Sequence, residues 1–402
     1  MISSGNPGSG DSNNDGGHSL SSQTSQPPLT LNSYQEVVVT TDQKRDAGLD
    51  LSFPLLGLFG ETGSLLSEAK KKQRDAASYL GYGASVMEEL GDVMWYLTII
   101  AARSNLKIAE IIKPGSDLPL ASLQPEKLSP QLQPSPAFER TLLQLASEVG
   151  LLMTDARTGT FIGTGASLSD RIAAIFRALL LAANEAGATL EQAGQKNLHK
   201  ILDRWPSKKE YPALFDEIDV IEERFPRHLT IDLFERNVNN KTYVVQRCNG
   251  LNIGDRLTDN IMKKDDYRFH DVFHYSYAAV LGWSPVLRAL MRIKRKNRPE
   301  VDEGQDGGRA ILIEEGVATW VFGHGKDLKL FADVEPNGVA FGLLKSVRQF
   351  VAGYEPDACP LWLWEEAILQ GYQAFRFLRE KRRGRVHLDL AQRRLVVEEL
   401  PQ

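Results

Sequence analysis

The sequence predicts a mainly α-helical protein: a tandem-repeat helical bundle followed by an α+β domain with a β-hairpin and helices. Three observations carry that expectation. Apolar residues recur at three- and four-residue spacing up to about residue 205. A proline-marked stretch at about 114–136 sorts those helices into two groups. Beyond 206, "HLTIDLFERNVNNKTYVVQRCNG" alternates apolar and polar residues about an Asn-Asn pair, a hairpin pattern.

In chain order, residues 1–32 are rich in Ser, Gly, Asn and Pro and read as a disordered tail. They contain neither the apolar centre of a secretion signal nor the Arg-rich pattern of a transit peptide. Residues 33–206 then read as helices, among them "GLFGETGSLLSEAKKKQRDAASY", "ASVMEELGDVMWYLTIIAARS", "AFERTLLQLASEVGLLMTDART", "LSDRIAAIFRALLLAANEAG" and "TLEQAGQKNLHKILDRW". The two groups resemble each other: aligning Ile108 with Leu190 sets Arg171 against Glu89 and Ala174 against Asp92, while Glu148 falls in the place of Glu61. Residues 207–402 form the α+β domain, with helical patterns returning at "YRFHDVFHYSYAAVLGW", "VLRALMRIKRK", "AILIEEGVATWVF", "VAFGLLKSVRQFVAG" and "LWLWEEAILQGYQAFRFLREKRR".

A net charge of −5 over 402 residues gives no strong nucleic-acid signal and no general attraction to anionic membranes. The basic run "RIKRKNRP" reads as a solvated helix end, with phosphate binding as its alternative. The most apolar helix, "IAAIFRALLLAANEAGATL", is interrupted by Arg177 and is too short to span a bilayer. The two cysteines, Cys248 and Cys359, are far apart and lack metal-ligand spacing, which fits a reducing, cytoplasmic setting.

Two helices carry acids beside an apolar stripe: Glu61 and Glu68 on "GETGSLLSEAKKK", then Glu88, Glu89 and Asp92 on "VMEELGDVMWYL". Glu89 and Asp92 stand three apart and share a helical face. Antiparallel packing of these helices would bring Glu61, Glu89 and Asp92 to one point, where bare carboxylates repel one another and lose hydration unless a cation compensates them. Hard oxygen donors suit Mg²⁺ or Mn²⁺. The plain alternative is a set of solvated acids flanking an ordinary core.

The combination "GLFGETGSLL…EELGDVMWYL" with the later "NLHKILDRWP" resembles the MazG-like all-α NTP pyrophosphohydrolases over residues 45–206. The resemblance implies Glu61, Glu89 and Asp92 as metal ligands, with Asn197, Lys200 and Arg204 contacting nucleotide. It also implies a second ligand Glu three residues after Glu61, where this sequence has Ser64. Glu88 or Glu68 is the candidate to orient or deprotonate water. The implied reaction converts an NTP or dNTP to nucleoside monophosphate and pyrophosphate. The first half keeps the acids and the second keeps Asn197, Lys200 and Arg204, which implies one composite site; the family's habit implies a homo-oligomer, here a dimer.

A second constellation lies further on. His270 and His274 stand four apart with Asp271 between them, and Glu314 and Glu315 follow in an apolar helix. Two imidazoles at this spacing with a carboxylate from another helix, Glu315, make a candidate site for a second, transition-metal ion. Histidines hydrogen-bonded within a core are the alternative. The string HDVFH differs from the HExxH of zinc peptidases by Asp for Glu, so peptidase activity is not inferred. Three functions remain open at this point: a pyrophosphohydrolase, a noncatalytic nucleotide-binding scaffold, and a metal-dependent hydrolase centred on His270 and His274.

Overall fold

The computed structural model describes residues 28–43, 50–159 and 165–400. Most of the expected tail lies outside the described residues. The protein is mainly helical with a small antiparallel sheet in its C-terminal region, as the sequence predicts. The chain divides into two compact units: one takes the residues up to Glu36 and those from position 50 to Gln195, the other the segment from Val37 and the chain from Lys196 onward. The division falls inside α1 (Leu31–Thr40) and α7 (Leu190–Arg204).

In the first unit, α2 (Ser52–Asp75) packs on α3 (Tyr82–Arg103), α5 (Pro136–Thr158) packs on α6 (Gly165–Ala186), and the pairs join through α2 on α5 and α3 on α6. The short α4 (Ile108–Ile112) ends the first half early, as the sequence predicts. Leu58, Leu65, Leu90, Val93, Leu142, Val149, Ile172 and Leu179 are buried between the helices. Local signals set the ends of α5. The Ser135 side chain accepts from the Phe138 amide, Pro136 occupies the first turn, and Gly159 closes the helix in the left-handed region.

The proline-marked stretch is packed rather than free. Gln124 donates to Asn184 Oδ1 (2.8 Å) and the Ala188 carbonyl (3.0 Å) and accepts from the Leu190 amide (2.6 Å), stitching the stretch to the α6–α7 corner. That corner turns at Gly187 (φ +66°), where a Cβ would lie 1.9 Å from the Ser129 carbonyl oxygen.

The second unit is built on a five-stranded antiparallel sheet of order β3-β2-β1-β4-β5. The expected hairpin is β1 (His228–Val238) and β2 (Lys241–Cys248), with Val238 opposite Lys241 and both Asn239 and Asn240 at positive φ, as a two-residue primed turn requires. A short β3 (Leu251–Asn252) flanks β2. A second hairpin, β4 (Arg383–Asp389) and β5 (Arg394–Glu398), completes the other side, and the sequence reading missed it. The helices are α8 (Asp271–Ser276), α9 (Pro285–Met291), α10 (Pro299–Gly304), α11 (Gly308–Asp327), α12 (Phe341–Phe350) and α13 (Leu361–Lys381).

A π-helical turn, Tyr277–Leu281, directly follows α8. Helix α13 covers β4, β5 and α8, approaching α8 so closely that a Cβ on Gly371 would meet Ser276 Oγ at 2.6 Å. The basic run at 292–299 is not a uniformly solvated helix end: Arg295 is buried between Asp306 (2.7 Å) and Glu355 (2.7 Å), and Arg298 pairs with Asp219 (3.1 Å). Among the described residues, no single helix is long and apolar enough to cross a membrane.

Candidate metal centres

The first cluster lies between α2 and α3. Gly57 faces Tyr96, Glu61 faces Glu89 and Asp92, and Glu68 bonds Tyr79 just ahead of α3, so position rises on one helix as it falls on the other and the helices are antiparallel. A Cβ on Gly57 would sit 2.1 Å from the Tyr96 ring, and this close approach precedes Glu61 by one helical turn.

Ligand oxygens of Glu61, Glu89 and Asp92 lie within 4.8 Å of one another, all half-buried. Burial pushes the Glu89 carboxyl up to about 8, with the charges of Glu61, Asp92 and Glu88 and a hydrogen bond with Glu61 adding to it. Its Oε2 is buried without a hydrogen-bond partner. The Tyr96 phenol is raised to about 12, by burial first and then by Glu61 and Asp92, while burial and Asp92 hold Tyr34 well above its ordinary value. Both phenols are therefore neutral donors beside the acids at neutral pH.

This donor set fits a hard divalent cation. It is all oxygen, it is mutually repulsive, and it leaves one buried carboxylate oxygen unsatisfied. Ser64, one turn after Glu61, is half-buried and brings no carboxylate. Glu68 does not fill the gap: it is buried, ion-paired to Lys71 (2.6 Å) and bonded by the Tyr79 hydroxyl. That pairing also removes Glu68 as a base for water. Glu88 is half-buried, close enough for its charge to act on Glu89.

Among the described residues, no such cluster of acids occurs in the second half. Arg171, opposite Glu89 in the repeat, reaches from α6 to Asp155 on α5 (2.6 Å). An ion pair there replaces the repulsive acids of the first half.

In the second unit, α7 carries Asn197, which is buried, and Lys200, whose Nζ lies 5.9 Å from the centroid of the Phe341 ring. Arg204 departs from the expectation of nucleotide contact. It is fully buried, with Nη1 and Nη2 on the two oxygens of Glu365 (2.5 and 2.9 Å) and Nη2 also on the Val339 carbonyl (3.1 Å). A guanidinium bound on both prongs is closed to phosphate.

The histidine cluster lies between α8 and α11. His270, Asp271 and His274 are buried with ligand atoms within 4.8 Å of one another. The His270 ring stacks on Tyr267 (4.3 Å, 7°), and its Nδ1 meets the Tyr267 carbonyl at 2.9 Å. His274 Nδ1 meets Glu314 Oε1 at 2.9 Å. Glu314 is itself fixed by Ser284 Oγ (2.7 Å) and the Val286 amide (2.8 Å) at the start of α9.

Glu315, adjacent on the helix and so about 100° round it, turns instead to both Nε2 atoms, at 3.7 Å from His270 and 3.4 Å from His274. Burial works against the His274 cation, yet Glu314 and Glu315 outweigh it and hold the imidazole well above its usual range. Burial likewise opposes the Glu315 anion, and the neighbouring His270 and His274 more than reverse that, pulling it well below a normal carboxyl. A cleft of about 710 Å³ opens on this cluster, lined among others by Gln246, Asp259, Tyr267, His270, Glu315 and Lys326.

Residues 210–401 match the MazG C-terminal domain. The match takes in β1 to β5 and the whole histidine cluster, just under half of the chain, and supports a MazG-related protein. It does not extend over the first unit, where the resemblance to MazG-like enzymes was read. No curated protein and no solved structure matches the chain.

Within the matched region, Asp271 belongs to the cluster, although the sequence pattern set it merely between the histidines. Gln246, whose Nε2 holds Asp271 Oδ2 at 2.5 Å, was missed. Its only signal was an inward position in the alternation of β2.

Proposed function

We propose that the protein is a metal-dependent nucleoside triphosphate pyrophosphohydrolase whose reacting centre is Glu61, Glu89 and Asp92. The observation that carries this reading is the convergence of three carboxylates from facing helices, one with an unsatisfied buried oxygen and a pKa pushed to about 8. These residues would hold Mg²⁺ or Mn²⁺, which when bound neutralises the triphosphate and lowers the pKa of bound water. In the reaction a water oxygen bonds to the α-phosphorus, the bond from that phosphorus to the bridging oxygen breaks, and pyrophosphate leaves.

The chain's own residues orient and hold protons around that exchange. Glu88, whose charge reaches Glu89, would take the water proton; Glu68 is ion-paired to Lys71 and bonded by Tyr79. Tyr34 and Tyr96 stay protonated and can donate hydrogen bonds. Two observations favour a second reading in which the helical unit binds nucleotide without hydrolysing it: Ser64 stands where a fourth ligand carboxylate is expected, and Arg204 is bound to Glu365.

The test is pyrophosphate release from a panel of NTPs and dNTPs with Mg²⁺ or Mn²⁺, comparing the intact protein with Asp92→Asn. Release by the wild type that falls at least about 100-fold in the variant is expected, the scale of losing a charged group at a reacting phosphate. Nucleotide binding with no release from any substrate would replace this reading by the second one. Equal release by both proteins would remove the carboxylate centre from the chemistry.

A further inference from the structure

We infer that the MazG C-terminal domain binds a divalent transition-metal ion between α8 and α11, held by Nε2 of His270, Nε2 of His274 and carboxylate oxygens of Asp271 and Glu315, and facing the cleft. This inference does not rest on the pyrophosphohydrolase reading, since all four ligands lie outside the first unit.

The orientation of the imidazoles carries the argument. Each Nδ1 meets an oxygen on the side away from the cluster centre: the Tyr267 carbonyl for His270 and Glu314 Oε1 for His274, both at 2.9 Å. A carbonyl oxygen only accepts, so His270 Nδ1 carries a proton and its Nε2 is the natural position for the lone pair. Glu314 acts the same way on His274, giving the carboxylate–histidine arrangement that fixes metal-binding imidazoles. The two Nε2 atoms then turn toward a common point with the acids, His270 Nε2 lying 3.2 Å from Asp271 Oδ1 and 3.7 Å from Glu315 Oε2.

His274 adds a second, independent sign. Its side chain is wholly buried, and Nε2 has no hydrogen-bond partner although Glu315 Oε1 stands 3.4 Å away. A buried polar atom aimed at a cluster and left unpaired is costly unless something else occupies the point of convergence.

The outer contacts are complete where the inner ones are not. Gln246 holds the far oxygen of Asp271, and Ser284 and the Val286 amide hold Glu314. Two nitrogens and two oxygens form a borderline donor set suited to Zn²⁺, Fe²⁺ or Mn²⁺, distinct from the all-oxygen set of Glu61, Glu89 and Asp92. Glu315 retains 38% side-chain exposure on the cleft side, so water or a small ligand can reach the ion there.

Zn²⁺ binding to the full-length, chelator-stripped Asp92→Asn protein, followed by isothermal titration calorimetry, tests the assignment with the carboxylate centre disabled. One tight equivalent per chain is expected. Its affinity should fall by more than about 100-fold in His274→Ala and Glu315→Gln, and by about 10- to 100-fold in Glu314→Gln, which loses only the orienting carboxylate. Because Glu315 is partly exposed, its variant keeps the fold, verified by far-UV circular dichroism, and decides the matter should His274→Ala misfold. Absence of a tight site, or a site indifferent to Glu315→Gln, overturns the assignment and leaves the cluster an imidazolium held between carboxylates.

Discussion

Glu89 carries a proton under conditions in which an ordinary glutamate does not. Its carboxyl titrates at about 8 in the folded chain against an ordinary 4.5, so between these values the folded state binds more protons than the unfolded one. The stability this group contributes to the metal-free protein is complete below about 4.5 and is lost as pH rises through about 8. A cation competes for the same oxygens, so metal affinity should climb over that interval. Melting curves should show a larger Mn²⁺-induced rise in Tm at about pH 8.5 than at about pH 6, and Glu89→Gln should flatten the metal-free pH dependence while abolishing the Mn²⁺ response. The acids were legible because Glu89 and Asp92 share a helical face three residues apart. Arg204 was not, because its partner Glu365 lies 161 positions along the chain and no local pattern announces it. Removing either member would strand a buried charge, at a cost of about 3–5 kcal/mol.

At the scale of elements, the carboxylate centre depends on how near α2 comes to α3. The Gly57 contact with Tyr96 sets that distance one turn from Glu61, and Tyr96 is braced edge-on by Trp95 (4.8 Å). Gly57→Val should displace the Tyr96 ring and lower stability by about 1–3 kcal/mol in urea unfolding, despite valine's better helix propensity. It should also weaken Mn²⁺ binding. The long helices were readable from periodicity, and the β1–β2 hairpin from the Asn239–Asn240 pair at its tip. The β4–β5 hairpin was not, because its first strand follows the basic end of α13 without a break and acquires its meaning only by pairing with β1, Phe234 against Arg383. Arg382, at φ +59°, stops the helix where a glycine would have been the visible sign. The π-helical turn after His274 is likewise a product of packing that apolar periodicity does not encode.

For the whole molecule, each unit holds one cluster of possible metal ligands: an all-oxygen set in the first, and a mixed nitrogen and oxygen set in the region that matches the MazG C-terminal domain. The sequence located both clusters because each is seeded by residues three or four apart on one helix. Their supporting contacts come from remote segments, as Glu314 illustrates by joining α11, His274 and the start of α9 through a single carboxylate. That junction makes the Val286 amide a built-in reporter. Its hydrogen is held by Glu314 Oε2 rather than by the first turn of α9, so its exchange with solvent deuterium is set by whether the carboxylate stays in place. Loading the histidine cluster with Zn²⁺ should slow exchange at Val286, read by hydrogen–deuterium mass spectrometry on peptides spanning 284–290, while Mg²⁺ at the carboxylate centre should leave it unchanged.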